Sequence, residues 1–171
     1  VNPLLDVALF GDRRLSSSTV GLVILFAAMF GIFLVLFPFF QAVLGWSSLR
    51  SASAMLPMMF VMMPLSTTAP KVAARIGRRV TMASGLLAFT GGLVVMASFA
   101  TVERGYAAIL PGLILIGLGM GLAMTPATEA ITESLPAEKQ GVASAINDTT
   151  RELGATIGVA LLGSILSAGY R

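Results

Sequence analysis

The sequence contains no cysteine and no histidine. Without cysteine, the chain can form no disulfide, thiolate nucleophile or cysteine-based zinc site. Without histidine, it lacks the commonest general base and cannot build the HExxH zinc motif. These absences disfavour hydrolytic chemistry, so we predict no enzyme activity, no catalytic residue and no metal site.

Charged residues are also scarce. Only 11% of the 171 residues are Asp, Glu, Lys or Arg, whereas 56% are hydrophobic. Soluble domains typically carry about 25% charged residues, so lipid must be the solvent for much of this chain. The net charge is +3, but the basic residues lie in the gaps between apolar runs and are not interleaved with aromatics. We therefore predict a lipid bilayer as partner, and no nucleic acid.

Five apolar runs are long enough to cross a bilayer, which takes roughly 20 residues of helix. They show no strand-like alternation of apolar and polar residues, so we predict an all-α, polytopic transmembrane helix bundle. Residues 1–18 would be a cytoplasmic lead-in and residues 168–171 an outer end. Because the sequence starts at Val1 and stops just after the fifth run, we expect a truncated chain. The runs cover about residues 19–39, 52–69, 80–99, 106–127 and 141–167.

The basic residues predict the orientation of the bundle. Cytoplasmic connections of membrane proteins carry an excess of Lys and Arg. Most of the basic residues fall on one predicted side, which would therefore be cytoplasmic, with the amino terminus inside and the carboxyl terminus outside the plasma (inner) membrane of a bacterium. The richer side carries Arg13, Arg14, Lys71, Arg75, Arg78, Arg79 and Lys139, and the other carries Arg50, Arg104 and Arg171.

Closely spaced glycines indicate where helices pack. Gly117 and Gly121 lie one turn apart in the fourth run, and Gly154 and Gly158 form a GxxxG pair in the fifth. Small residues at this spacing let helix backbones approach each other. We predict a packing role for these four glycines, without substrate contact.

The fifth run also carries polar side chains, at Asn147, Asp148, Arg151 and Glu152. Ionisable residues at membrane depth normally face a bundle interior or an aqueous cavity. Asn147, Asp148 and Arg151 are therefore candidates for the transport pathway, and a structural ion pair between two helices is the alternative. A gating salt bridge between Asp148 and Arg151 would serve both roles.

Phenylalanines recur along the first run at Phe26, Phe30, Phe33 and Phe37, and Gln41 follows them. This spacing places the rings on one helical face. An aromatic face with one amide suits flat, lipophilic substrates, so Phe30, Phe33, Phe37 and Gln41 are further pathway candidates. A face turned to lipid or to the core is the alternative.

The connection after the second run resembles the signature loop of the major facilitator superfamily, a small residue followed by Asp/Arg-x-Gly-Arg-Arg/Lys. Here it reads Ala-Arg-Ile-Gly-Arg-Arg over residues 74–79, with Ala74 in place of the usual acidic residue. The resemblance implies a cytoplasmic gate loop formed by Arg75, Gly77, Arg78 and Arg79.

Three other stretches are similar to the fourteen-span drug:proton antiporters of that superfamily. They are the link over residues 44–57, residues 131–145, and the Asn147–Gly154 stretch with its Asn…Arg-x-Leu-Gly pattern. The resemblance implies five spans of a carboxyl-terminal half, whose partner is the missing amino-terminal half of the same transporter.

The same resemblance implies the mode of action. The transporter would export small lipophilic, drug-like substrates by alternating access, with a proton gradient as energy source and no cofactor. The family's proton-carrying acids are assigned chiefly to the amino-terminal half, so none is assigned here. A permease for another small solute and a non-transporting scaffold remain open.

Overall fold

The computed structural model describes residues 13–99, 105–133 and 140–169, and within these ranges the secondary structure is helical, with no strand. This confirms the all-α class. The helices are α1 (Arg13–Pro38), which continues into a π-helical turn (Phe39–Val43), α2 (Ser48–Ser53), α3 (Leu56–Ile76), α4 (Arg78–Phe99), α5 (Gly105–Glu133) and α6 (Gln140–Gly169).

In the described ranges, four helical stretches are long and apolar enough to cross a membrane: Ser16–Val43, Ser48–Ile76, Arg78–Phe99 and Gly105–Glu133. They contain the first four predicted runs. The fifth run forms the 30-residue helix α6, which is not among the four stretches. That α6 also crosses the membrane stays a prediction. The lead-in and the outer end predicted at the termini lie mostly outside the described residues.

The structure differs from the prediction at two places, within the second run and in the connection that follows it. The second run is broken at Ala54 and Met55, between α2 and α3, because Pro57 lies in the first turn of α3 and has no N–H to continue a preceding helix. The link expected over residues 70–79 is mostly helical, and only Gly77 separates α3 from α4. Its φ of 90° and ψ of 143° lie where essentially only glycine is stable.

The chain forms two compact units. One unit consists of Leu36–Pro126, and α5 provides its closest helix contacts. A Cβ added to Gly119 would lie 2.5 Å from the Phe89 nitrogen in α4, and one added to Gly117 would lie 2.6 Å from the Met58 oxygen in α3. Glycines on α5 thus let it pack closely against α3 and α4.

The Leu36–Pro126 unit also shows how a proline is accommodated inside α3. Pro70 has no N–H, so it cannot donate to the carbonyl of Ser66 four residues earlier. The Thr125 hydroxyl of α5 donates to this carbonyl at 3.4 Å. A neighbouring helix therefore satisfies the backbone group that the proline leaves free.

The other unit consists of the described residues up to Val35 and those from Ala127 onward. In it, α1 and α6 pack in parallel, because residues that follow one another along α1 meet residues that follow one another along α6. Gly154 contacts Phe26, Gly158 contacts Ala27, and Gly163 approaches Leu34. Both helices therefore run in the same direction.

Candidate transport-pathway residues

The polar residues of α6 lie beside α1. The Arg151 guanidinium carbon is 5.3 Å from the ring centroid of Phe26, and the Phe26 side chain is buried. A cation within about 6 Å of an aromatic face is attracted by the ring quadrupole, more strongly where water is excluded. Phe26 thus holds Arg151 against α1.

Several polar atoms of this unit are shielded from solvent and have no hydrogen-bond partner among the described residues. They are Thr19 Oγ1, Thr128 Oγ1, Asn147 Oδ1 and Arg151 Nε. Leaving a buried polar group unsatisfied costs about 1–3 kcal/mol. Intramembrane polar groups commonly mark substrate or ion pathways.

The contacts between α1 and α6 show which of these atoms lie at the same depth. Ala27 lies against Gly158, so the residue eight positions earlier in α1, Thr19, is level with the residue eight positions earlier in α6, Thr150. Asn147 and Arg151 lie within one helical turn of Thr150. The Thr150 hydroxyl is itself satisfied, donating to the Ile146 carbonyl at 2.6 Å. The unsatisfied groups of α1 and α6 thus share one level of the helix pair.

The expected salt bridge between Asp148 and Arg151 is not formed in the part of the chain that the structure describes. Arg151 turns toward α1 and is half-buried, whereas Asp148 is exposed on another face of α6. A spacing of three residues permits such a pair on one helix, but the attraction of Arg151 to Phe26 directs the guanidinium elsewhere. That this pair forms a gate stays a prediction.

The phenylalanine stripe of α1 does not form one uniform wall. Phe26 is 6% exposed but Phe30 is 40% exposed, although their ring centroids are 6.4 Å apart. Phe33 and Phe37 are half-buried, and Gln41 is exposed in the π-helical turn. Of the four candidates on this stripe, Phe30 and Phe33 belong to the same unit as Asn147 and Arg151, whereas Phe37 and Gln41 belong to the other unit.

The residues of the gate loop surround the tight turn between α3 and α4. The Gly77 N–H donates to the Ala73 carbonyl at 2.9 Å, and the Thr81 hydroxyl donates to the Gly77 carbonyl at 3.0 Å. The turn is thus bonded to both helices. Four cationic side chains are exposed around it: Lys71, Arg75, Arg78 and Arg79.

Sequence reasoning missed an aromatic cluster in the Leu36–Pro126 unit. Phe40 stacks on Trp46 with ring centroids 5.4 Å apart, and the Trp46 and Tyr106 centroids are 5.7 Å apart. The Arg50 guanidinium carbon lies 4.3 Å from the Trp46 centroid. Trp46 and Tyr106 both lie at ends of apolar runs on the same predicted side of the membrane. Their shared side was the sequence signal that could have indicated a contact between them.

Comparison with known proteins identifies the family. The sequence model of the Major Facilitator Superfamily matches residues 2–159. The chain is 34% identical, over 98% of its length, to the multidrug resistance protein Stp of Mycobacterium tuberculosis, of which the match covers 31%. It is 32% identical, over 99% of its length, to the multidrug efflux pump LfrA of Mycolicibacterium smegmatis, of which the match covers 33%.

A third relative is the tetracenomycin C resistance and export protein of Streptomyces glaucescens, with 29% identity over 97% of the chain and 31% of that protein. The chain thus spans about a third of the length of these relatives. Four apolar helices of spanning length and a match over nearly the whole sequence lead to one conclusion: the chain is an integral membrane protein and belongs to the Major Facilitator Superfamily.

Proposed function

We propose that the chain forms part of the carboxyl-terminal half of a transporter that exports lipophilic, drug-like compounds by alternating access, driven by a proton gradient. The observation that carries this proposal is the 34% identity, over 98% of the chain, to a multidrug resistance protein. The matches cover about a third of the relatives, which supports an amino-terminal portion of the same transporter as partner. Proton coupling rests on the resemblance to drug:proton antiporters.

In this proposal, the α1–α6 pair contributes to the substrate pathway. Asn147 Oδ1 and Arg151 Nε are buried and have no hydrogen-bond partner among the described residues, and Phe26 and Phe30 place aromatic rings on the neighbouring helix. Aromatic rings with a few convergent polar groups suit binding of amphiphilic compounds. The gate loop at Gly77 would close the cytoplasmic side, and no residue of this chain is assigned as the proton carrier.

We also propose that the protein lies in the bacterial plasma membrane with its amino terminus in the cytoplasm. Support comes from the distribution of charge on the described helices. Lys71, Arg75, Arg78 and Arg79 are exposed around the α3–α4 turn, whereas Arg50 is the basic residue at the start of the α2–α3 stretch. An excess of Lys and Arg is typical of cytoplasmic connections.

The proposal is tested with the complete transporter in energised, inside-out membrane vesicles, to which a lipophilic cationic dye such as ethidium is added from outside. We expect dye uptake into the vesicles that stops when a protonophore collapses the proton gradient. Uptake that is insensitive to the protonophore would contradict proton coupling. Absence of uptake by a correctly inserted protein, over a panel of lipophilic dyes, would contradict drug export.

Variants then test the α1–α6 pair. We expect Asn147→Leu to raise the apparent KM for the dye about tenfold, since a hydrogen bond to a substrate contributes roughly 1.4 kcal/mol. Thr149→Ala provides a matched control, because Thr149 is an exposed neighbour on α6. An unchanged KM in Asn147→Leu would remove this residue from the pathway.

A further inference from the structure

An open groove lies beside the aromatic cluster of the Leu36–Pro126 unit. Trp46 and Tyr106 line it. Phe40 is completely buried, and its ring stacks on that of Trp46. The Tyr106 hydroxyl donates to the Ala54 carbonyl at 2.7 Å, which ties α5 to the break between α2 and α3. The floor of the groove is therefore held by stacked rings and one hydrogen bond between helices.

Arg50 provides the charge at one end of this groove. Its guanidinium lies over Trp46, and the Ser47 hydroxyl accepts from its backbone N–H at 3.4 Å. The Ser53 hydroxyl donates to its carbonyl at 2.8 Å. Arg50 is exposed and forms no ion pair with the residues that the structure describes. Its side chain is thus oriented by the indole and retains hydrogen-bond donors for an anion.

The other end of the groove is apolar. The groove measures about 450 Å³, and Leu56, Pro57 and Phe60 of α3 continue it beyond the arginine. Leu56 is 46% exposed and Phe60 is 72% exposed. Exposed apolar side chains on a helix of spanning length are suited to contact with hydrocarbon. The groove therefore begins at a cation and ends on a surface suited to lipid.

We propose that this groove binds one anionic phospholipid, with the headgroup phosphate on Arg50 and an acyl chain along Leu56 and Phe60. Trp and Tyr rings are typical of the level at which headgroups lie, and a guanidinium can bond a phosphate with two parallel N–H donors. Among the described residues that line the groove none is a carboxylate, and the cationic Arg50 favours a headgroup of net negative charge. This inference does not depend on drug export.

The test is native mass spectrometry of the complete transporter in detergent, titrated with phosphatidylglycerol or with phosphatidylethanolamine of the same acyl chains. We expect one molecule of phosphatidylglycerol to bind per transporter, with a higher affinity than phosphatidylethanolamine. Arg50→Gln should weaken that binding about tenfold, because it removes a charge-assisted hydrogen bond. Arg50→Lys should weaken it less, since the charge remains.

Leu49→Gln is the matched control, because Leu49 is 82% exposed and does not line the groove. It should bind phosphatidylglycerol as the unmodified protein does. Phe60→Ala should weaken the binding of long-chain lipid and leave that of dihexanoyl lipid unchanged. Equal affinity of Arg50→Gln and the unmodified protein would overturn the proposal, as would displacement of the lipid by millimolar glycerol phosphate, which would indicate a site for free phosphate esters. If Arg50→Gln does not fold, the Arg50→Lys and Phe60→Ala variants replace it. Affinities for long-chain phosphatidylglycerol equal to that of the unmodified protein in both variants would then overturn the proposal.

Discussion

At Gly158 the backbones of α6 and α1 lie so close that a single added carbon would collide with the carbonyl oxygen of Ala27. Because the obstacle is backbone, a rotamer change cannot relieve it and the helices must separate. We expect Gly158→Ala to destabilise the transporter by about 1–3 kcal/mol, measured as a lower midpoint of thermal unfolding in detergent. Gly141→Ala on the same helix meets no atom within 4 Å and should keep the midpoint. Equal stability of the two variants would refute the close contact.

The interaction between Arg151 and Phe26 can be measured by a double-mutant cycle. The guanidinium carbon is 5.3 Å from the ring centroid, so we expect Arg151→Met and Phe26→Leu to be non-additive by about 0.5–2 kcal/mol in the free energy of unfolding. Unfolding in mixed dodecyl sulfate micelles provides this quantity. Phe30→Leu is the control partner for Arg151→Met, because Phe30 is exposed, and that cycle should be additive. Additivity in both cycles would mean that the ring does not stabilise the cation.

At the scale of the helices, the one-residue connection between α3 and α4 requires a glycine. Gly77 alone joins α3 to α4, with a φ of 90°, and nothing lies within 4 Å of an added Cβ. Gly77→Ala would therefore strain the backbone without crowding any neighbouring atom. We expect it to lower the free energy of unfolding by about 1–3 kcal/mol.

The free energy of unfolding in micelles checks this prediction, with Gly91→Ala as control. Gly91 also has open space around it but lies within α4 at a negative φ, so an alanine there should be neutral or slightly stabilising. If Gly77→Ala and Gly91→Ala had the same stability, the turn would not need glycine.

The hydrogen bond from Thr125 to the Ser66 carbonyl links α5 to α3 at the place where Pro70 interrupts the helix ladder. We expect Thr125→Val to cost about 0.5–1.5 kcal/mol. In a Pro70→Ala background the cost should fall to near zero, because the new backbone N–H can donate to Ser66. The comparison requires unfolding free energies of four proteins. The same cost in both backgrounds would show that Thr125 does not compensate for the proline.

At the scale of the whole molecule, the helical class and the four apolar stretches were predictable because long charge-poor runs leave few other structures in lipid. The break at Ala54 was not predicted, since apolar content alone does not reveal where Pro57 restarts the helix. The aromatic cluster was missed because Phe40 and Tyr106 are far apart in sequence and meet only through tertiary packing. The contact of Arg151 with Phe26 was also not predicted, because spacing along one helix does not reveal a ring on another helix.

The orientation of the molecule in the membrane leads to the last prediction, which cysteine labelling of intact cells can check. We place single cysteines in an otherwise cysteine-free version of the complete transporter, at Ala74 in the last turn of α3 and at Leu49 in α2, both exposed. Since Lys and Arg accumulate on the cytoplasmic side, a membrane-impermeant maleimide should label Leu49→Cys in intact cells and Ala74→Cys only after permeabilisation. A permeant maleimide, which should label both variants, controls for reactivity. Labelling of Ala74→Cys in intact cells would place the α3–α4 turn outside and reverse the proposed topology.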